Sequence, residues 1–191
     1  MATKLVLMDG EEFTAKLLAG ERDFRRIKLE QGFDFTRHDS YSKIKDYLRK
    51  QDFSKNPIDI SNSKLRYIIA TGLYFQFLKA VNVDLTCADL RTTFFGQANL
   101  EKACLAGANL SENTNFWHAN LFRADLSFTN LKDSKFYRAD LEQATLLSAD
   151  AQNADFLRAN LSGTFLCGAK LTKADLRYAN FLNSHAFRND D

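Results

Sequence analysis

The chain has 191 residues, of which 45% are hydrophobic and 26% are charged, and its formal net charge is +2. This composition is ordinary for a soluble globular protein, and so small a net charge does not favour nucleic-acid binding. Phe occurs 17 times and Pro only once, so residues other than proline must turn the chain. Three cysteines without CxxC spacing disfavour a disulfide framework or a zinc site, and they indicate a reducing compartment, which we expect to be the cytoplasm.

The N-terminal segment predicts a short helix that covers one end of the fold. The apolar run from Leu5 to Met8 stops at Asp9, so it is too short for a secretory signal or a membrane span. Asp9 followed by Glu12 resembles a capping box, and Gly20 stands where a C-cap is expected. Residues 10–19 are therefore predicted to be helical.

A second helix is predicted from Ser40 to Lys50. Its apolar side chains share one helical face, as in an amphipathic helix: Tyr41, Ile44, Tyr47 and Leu48. We expect this helix to be inserted between coils of the main fold. There it would lie against outward aromatic residues such as Tyr67, Tyr74 or Phe77.

From Asp84 onward the sequence repeats every five residues. The unit Ala-(Asp/Asn)-(Leu/Phe)-x-x occurs at 88–90, 98–100, 108–110, 119–121, 124–126, 139–141, 154–156, 159–161, 174–176 and 179–181. One extra residue near Glu112 to Thr114 interrupts the frame. A period of five fits neither a strand nor a helix, so each unit must contain a bend. The Ala and the Leu or Phe then point inward, and the Asp or Asn between them points outward and supports the bend.

A second period of twenty residues predicts that four units form one coil. Residues twenty apart would stack on the same wall, with ~4.8 Å between successive rungs. One wall then holds a core ladder made almost entirely of phenylalanine: Phe75, Phe95, Phe116, Phe136, Phe156 and Leu176. Five phenylalanines sorted onto one wall support a coil of about twenty residues.

These units resemble the pentapeptide-repeat protein family, closely from Val83 to Phe187 and in a degenerate form from Ile58 to Val83. The resemblance implies an all-β solenoid, a right-handed quadrilateral β-helix, which here would carry a short N-terminal capping helix and one inserted helix. We expect residues 1–57 to form a cap with a partial coil and the inserted helix. Residues 58–191 would form the β-helix, degenerate over 58–83 and regular over 84–187. Such proteins are especially numerous in cyanobacteria.

The degenerate segment has an alternative interpretation as a helix from Lys64 to Ala80. Leu65, Ile68 and Ile69 also fit helical spacing, whereas Phe75 falls on the Phe wall and favours a coil. Three earlier segments predict a partial first coil: Arg22 to Phe24, Lys28 to Leu29 and Asp34 to Phe35.

The sequence contains no pattern typical of a catalytic, cofactor or metal site. His38, His118 and His185 are too scattered to hold a metal ion. Asp155 and Asp175 could pass for paired catalytic carboxylates, but the repeat itself places an acidic or amide residue there. Cys87, Cys104 and Cys167 fall on one wall at different places across it. We also expect a packed interior that leaves no cavity for a substrate. The protein is therefore predicted to be non-enzymatic and to bind no cofactor.

Outward residues on the Phe wall form the candidate partner-binding stripe. It combines aromatic and basic side chains: Tyr74, Phe94, Trp117, His118, Lys135, Tyr137, Arg138, Arg158, Arg177 and Tyr178. Trp, Tyr and Arg are enriched at the energetic centres of protein interfaces, so we expect a protein partner of unknown identity. The alternative is that these long side chains only shield the wall and stack on one another.

The sequence therefore predicts a non-enzymatic interaction scaffold or regulator, which we expect to be a cytoplasmic monomer. The family resemblance implies one alternative, since its quinolone-resistance members imitate duplex DNA and bind DNA gyrase. That activity needs an acidic surface and usually a dimer joined at the C-terminal end. Here the stripe is basic, and only a short polar tail, Asn183 to Asp191, is expected after Phe181. Nucleic-acid binding is not expected either, since residues 84–191 carry 11 basic and 13 acidic side chains.

Overall fold

The computed structural model describes residues 4–186. Its regular elements are β1 (Val6–Met8), α1 (Gly10–Leu18), β2 (Ile27–Leu29), a 3-10 helix (Phe35–Arg37) and α2 (Tyr41–Lys50). From residue 58 to residue 186 the chain forms single parallel bridges separated by two-residue turns. The repeating part is therefore β-bridged rather than built of full strands, because each five-residue unit leaves only three extended residues between turns.

From Asp59 onward each bridge joins residues about twenty positions apart, as in Lys79 with Asn99 and Asp140 with Asn160, while the three bridges of the first coil span the inserted α2 as well. A coil contains four bridges and so has four faces, which we name by their outward central residues. Face A runs through Lys28, Lys64, Asp84, Cys104, Asp125, Thr145, Phe165 and His185; face B through Asp34, Ile69, Asp89, Asn109, Asn130, Asp150 and Lys170. Face C runs through Tyr74, Phe94, Asn115, Lys135, Asp155 and Asp175; face D through Asp23, Asp59, Lys79, Asn99, Asn120, Asp140, Asn160 and Asn180. The predicted coil of about twenty residues is confirmed.

One five-residue unit shows how the bend is made. The Ala139 amide donates to the Phe136 carbonyl at 2.9 Å, closing a turn whose central residues are Tyr137 and Arg138. Arg138 has φ +53°, in the left-handed region, and the equivalent turn residue of most units does the same. In the next unit, the Asp140 carboxylate accepts from the Glu142 amide at 3.1 Å. The outward Asp or Asn therefore supports the turn that follows it, as its chemistry predicts.

The interior is filled by the predicted inward residues. The core ladder stacks with ring centroids 5.3 Å apart for Phe95 and Phe116, and 4.9 Å apart for Phe116 with Phe136 and for Phe136 with Phe156. These four rings are fully buried and nearly parallel. Leu176 is only partly buried, since it lies in the last described coil.

An apolar cavity of about 30 Å³ interrupts this packing at the N-terminal end. Phe75 borders it and is only partly buried. Ala70 and Ala80 stand at centre positions that hold Leu90 and Leu100 one coil later, so this coil has less side-chain volume inside. All the lining residues are apolar, so the cavity offers no polar group to a substrate.

The extra residue near Glu112 to Thr114 is absorbed in one corner. Between Asp59 and this corner the bridges span twenty residues, and those across it span twenty-one, as in Phe94 with Asn115. Glu112 and Asn113 both take positive φ, 58° and 69°, so the turn bulges outward without shifting the core.

The degenerate segment is a coil, which excludes the alternative helix from Lys64 to Ala80. The predicted partial coil before it also exists, because Asp23 bridges to Asp59 and Asp34 bridges to Ile69. Since residues 22–35 pair directly with this segment, the cap and the β-helix share one hydrogen-bonded stack. The division of the chain at residue 57 stays a prediction.

Helix α1 covers the N-terminal end of the coil as expected. The Asp9 carboxylate accepts from the Glu12 amide at 2.7 Å, and Gly20 has φ +97° just past the helix. Phe13 and Leu17 are buried against the first coil. Within the apolar run that begins at Leu5, Val6–Met8 form β1, which pairs in parallel with β2.

The C-terminal end departs from the predicted polar tail. His185 bridges to Phe165, its amide donates to the Thr164 carbonyl at 2.8 Å, and its ring stacks on Phe165 at 5.0 Å. The segment from Asn183 to Ala186 therefore continues the repeat rather than leaving it. Phe187 and the last residues of the predicted tail lie outside the described residues.

Replacing Phe136 with Ala should destabilise the protein by ~3–5 kcal/mol, because the rigid rungs at Phe116 and Phe156 cannot collapse into the gap. Chemical denaturation of the variant beside the parent protein measures this loss. A loss below ~1 kcal/mol would mean that the ladder repacks and is not the rigid element described above.

Asp140→Asn should leave the free energy of unfolding within ~0.5 kcal/mol of the parent value, since the amide oxygen can accept the same Glu142 and Asn160 hydrogen bonds. Asp140→Ala is the matched control and should be clearly less stable. Equal damage from the Asn and Ala variants would show that Asp140 contributes through its charge rather than through the turn.

Candidate functional site

The residues of the predicted stripe lie in three adjacent columns along face C and the turn after it. The central column is face C itself. The first turn column contains Gln76, Gly96, Trp117, Tyr137, Leu157 and Arg177, and the second contains Phe77, Gln97, His118, Arg138, Arg158 and Tyr178. We call these two turn columns the C–D corner. The sequence predicts that these residues stack in a single vertical stripe. In the structure they form a band three columns wide.

At the N-terminal end of the band the rings of Tyr74 and Phe94 stack at 4.5 Å, within 9° of parallel. Phe94 folds over Gly96, where a Cβ atom would come within 2.5 Å of its ring. The missing side chain at Gly96 thus lets the Phe94 ring lie in the first turn column. The aromatic surface consequently continues toward Trp117 and Tyr137 despite the glycine.

In the middle of the band, Trp117 and Tyr137 enclose the ring of His118. The Trp117 and His118 rings are 4.5 Å apart and edge-on, and His118 lies 6.0 Å from Tyr137. The Asn115 side chain accepts from the Trp117 amide at 2.8 Å and fixes this turn. Trp117 remains 38% exposed, so a large part of its mostly apolar indole ring is in contact with solvent. It is held in place yet still open to a partner.

Two arginines of the corner rest on aromatic rings. The Arg138 guanidinium lies 5.3 Å from the Tyr137 centroid, and that of Arg158 lies 5.8 Å from the centroid of Tyr178, which is itself 80% exposed. Within residues 4–186, neither guanidinium has a carboxylate oxygen within 4.0 Å. Their N–H groups therefore remain free to bind a carboxylate from outside.

Arg177 differs from these two, because it donates to Asp175 at 2.7 Å. This hydrogen bond lowers the pKa of the Asp175 carboxyl and raises the pKa of Arg177. Arg91 with Asp89 and Arg25 with Asp23 repeat the pattern, and the Arg25 hydrogen bond lowers the pKa of Asp23 to about 2. An arginine in the first position of a turn thus reaches the Asp two residues earlier, whereas Arg138 and Arg158, in the second position, lie over tyrosine rings.

Asp155 and Asp175, which could pass for paired catalytic carboxylates, both have hydrogen-bond partners in their own turns. Asp155 accepts from the Leu157 amide and Asp175 from the Arg177 amide, so both support turns. Cys104 lies at the centre of face A, while Cys87 and Cys167 lie at its turn. Across residues 4–186 no group of His, Cys, Asp or Glu side chains could hold a metal ion. No helix in that range is long and apolar enough to span a bilayer.

The predicted inserted helix does lie against this band. The Tyr41 hydroxyl of α2 donates to the Thr71 carbonyl at 2.7 Å, and Arg49 lies 5.7 Å from the Tyr74 ring. Phe77 lines the groove beside the C-terminal end of α2. Of the three aromatic residues expected beneath the helix, Tyr67 lies instead at the turn of face A beside Arg66.

A second exposed apolar surface was missed by the sequence reasoning. It lies on face A and its two corners, opposite face C, and consists of Phe128, Leu147, Phe165 and Leu182, which are 63%, 36%, 47% and 67% exposed. Arg123 and Glu142 line the groove next to it. The available signal was an apolar residue in an outward slot of the repeat, such as Phe165 where other units carry Asp or Thr.

These features define a solenoid repeat protein, in which a stack of hydrogen-bonded coils carries the outward side chains. The family model of pentapeptide repeats matches residues 81–185 in eight copies, and the chain belongs to that family. No curated protein sequence matches the chain.

Several solved structures resemble the chain. HetL, a pentapeptide repeat protein involved in heterocyst differentiation regulation from the cyanobacterium Nostoc sp. strain PCC 7120, is 23% identical over 91% of this chain and 94% of its own, with a TM-score of 0.37. QnrB1, a plasmid-mediated fluoroquinolone resistance protein, is 18% identical over 68% and 83%, with a TM-score of 0.28. A pentapeptide repeat protein of the Arabidopsis thaliana thylakoid lumen is 26% identical over 49% and 64%, with a TM-score of 0.26.

Gly96→Ala should push the Phe94 ring off the turn and separate it from Tyr74, at a cost of ~1 kcal/mol, the value of one stacked aromatic pair. Ala106 occupies the same turn position on face A, so the backbone itself accepts alanine. NMR contacts between the Tyr74 and Phe94 ring protons report the stack. Unchanged ring contacts would show that Gly96 does not position Phe94.

Proposed function

We propose that this protein is a non-enzymatic interaction scaffold or regulator that presents the C–D corner and face C to a protein partner. In this proposal the coil is the right-handed quadrilateral β-helix that the family resemblance implies, and the protein acts as a cytoplasmic monomer. The observation that carries the proposal is the pair Arg138 and Arg158, each held on a tyrosine ring without an ion-pair partner among residues 4–186.

Rigid presentation supports this function. Trp117 and Arg138 project from turns whose backbones are hydrogen-bonded to the coils on both sides, as in the His118 amide donating to the Tyr137 carbonyl at 3.1 Å. Side chains that are ordered before binding lose little conformational freedom when a partner covers them. Exposed Trp, Tyr and Arg are the side chains that contribute most to interface affinity, and here they project from a rigid backbone.

The alternative of DNA mimicry for gyrase binding has no supporting feature on this surface. Mimicry requires rows of carboxylates in place of phosphates, whereas the second turn column carries His118, Arg138 and Arg158. The acids of face C nearest to it, Asp155 and Asp175, are hydrogen-bonded to turn amides. We therefore retain the scaffold as the proposed function.

The double variant Trp117→Ala with Arg138→Glu should lose most of the protein's specific partners in a quantitative pull-down from cells that express it. Both residues are exposed and lie outside the core, so the melting temperature should change little. Phe128→Ala with Arg123→Glu is the matched control on the opposite side, and it should keep the partners. Retention of every partner by the first variant would contradict the proposal, and loss of partners only in the control would place the binding surface on face A.

A further inference from the structure

Helix α2 replaces one rung of face C. The first coil bridges on face D at Asp23, on face A at Lys28 and on face B at Asp34. The chain then enters α2 and returns to face D at Asp59. The position that face C would occupy in this coil is therefore filled by the helix. Its outward side extends the band by one level at the N-terminal end.

The packing of α2 fixes which side faces outward. Ile44 and Leu48 are buried toward the coil, and Arg49 rests over the Tyr74 ring, which begins the aromatic band. Lys43 and Lys50 are exposed on the solvent side. Arg49 thus joins the helix to the rings of face C, while Lys43 and Lys50 lie roughly 100–120° further round the helix on its neighbouring solvent side, with Asp46 between.

This outward side is basic. The helix carries Lys43, Lys45, Arg49 and Lys50 against a single acid, Asp46. None of the four cations has a carboxylate oxygen within 4.0 Å among residues 4–186. Lys45 instead lies 5.3 Å from the Tyr41 ring. The same preference for rings over carboxylates occurs at Arg138 and Arg158 further along the band.

Helix stability does not account for this charge distribution. The N-terminal end of a helix favours acids and the C-terminal end favours bases. Helix α1 follows the rule, with Glu11 and Glu12 in its first turn and Lys16 in its last. In α2 the last-turn Arg49 and Lys50 obey it, but the first turn has no acid and contains Lys43. Lys43 therefore opposes the helix dipole, so helix stability does not explain its charge.

We propose that α2 and the C–D corner form one docking surface for an acidic, extended segment of a partner protein. This inference rests on the proposed function and specifies the chemistry of the partner. Carboxylates of the segment would pair with Lys43 and Lys50 at one end and accept bidentate hydrogen bonds from Arg138 and Arg158 at the other. Apolar side chains between them would pack on the exposed ring of Trp117.

A protein segment fits this surface better than a nucleic-acid strand does. Asp155 and Asp140 lie beside the arginines on faces C and D. A polyphosphate backbone carries a charge at every step and would be repelled there. A peptide can place its carboxylates opposite the cations alone, and charge complementarity of this kind selects partners.

The test is selection of a phage-displayed library of random peptides on the immobilised full-length protein. Enriched peptides should be rich in Asp and Glu, with an apolar residue between acids. Their affinity can be measured by fluorescence polarisation with labelled synthetic copies. It should fall strongly between ~10 mM and ~150 mM salt, because the Debye screening length decreases from ~30 to ~8 Å.

Lys43→Glu separates binding from folding, because the substitution removes a cation from the positive end of α2. Its melting temperature should equal or exceed that of the parent, while the affinity for the selected peptides drops by about fivefold or more at low salt. Lys64→Glu, an exposed lysine on the opposite face A, is the matched control and should bind like the parent. Arg138→Glu should weaken the same peptides.

Enrichment of neutral or basic peptides would overturn the inference, as would acidic peptides whose affinity does not change in Lys43→Glu. Tighter binding of a single-stranded oligonucleotide that the same substitutions weaken would also overturn it, in favour of nucleic acid. Each of these three results is distinguishable from failure of the proposed function. Partner loss in the Trp117 and Arg138 double variant would still support the scaffold if α2 proved irrelevant.

Discussion

The structure depends on one constraint, the pairing of each extended segment with the segments one coil before and one coil after it. The backbone amide of Asn160 donates to the Ala139 carbonyl of the coil before at 2.9 Å, and the Leu161 amide donates to the Asn180 carbonyl of the coil after at 2.7 Å. Such pairs fix the register at about twenty residues, so equivalent side chains lie directly above one another. Like then stacks on like: phenylalanine in the core ladder, and amides outside, where Asn180 donates to Asn160 at 3.1 Å.

The same register places different constraints on the inward positions and on the turn positions. Inward positions accept only residues that fill a narrow interior, whereas turn positions have no such limit because their side chains point to solvent. The second turn column tolerates His118 and Arg158 at φ +53° and +61°, a conformation that most residues avoid, since the surrounding hydrogen bonds impose it. The side chains at turn positions can therefore vary without disturbing the core. In this chain the second turn column carries mainly aromatic and cationic side chains.

Much of this arrangement could be predicted from the sequence, because periodicity alone determines which residues share a wall. The coil length, the core ladder and the cap at Asp9 all follow from spacing. Contacts between neighbouring columns could not be predicted, since they depend on side-chain direction. Whether an arginine meets a ring or a carboxylate depends on its turn position, as Arg138 and Arg177 show. The cavity near Phe75 depends on packing volume, which local patterns do not reveal.

The substitution of a helix for one rung also gives the wall a direction. A surface repeated at every ~4.8 Å looks nearly the same after a shift of one rung, so an extended ligand could slide along it or bind reversed at little cost. Helix α2 occurs at one end only and differs from every other level of face C in shape and charge. A ligand that contacts both α2 and the arginines near Tyr178 would consequently be held in a single register and a single polarity.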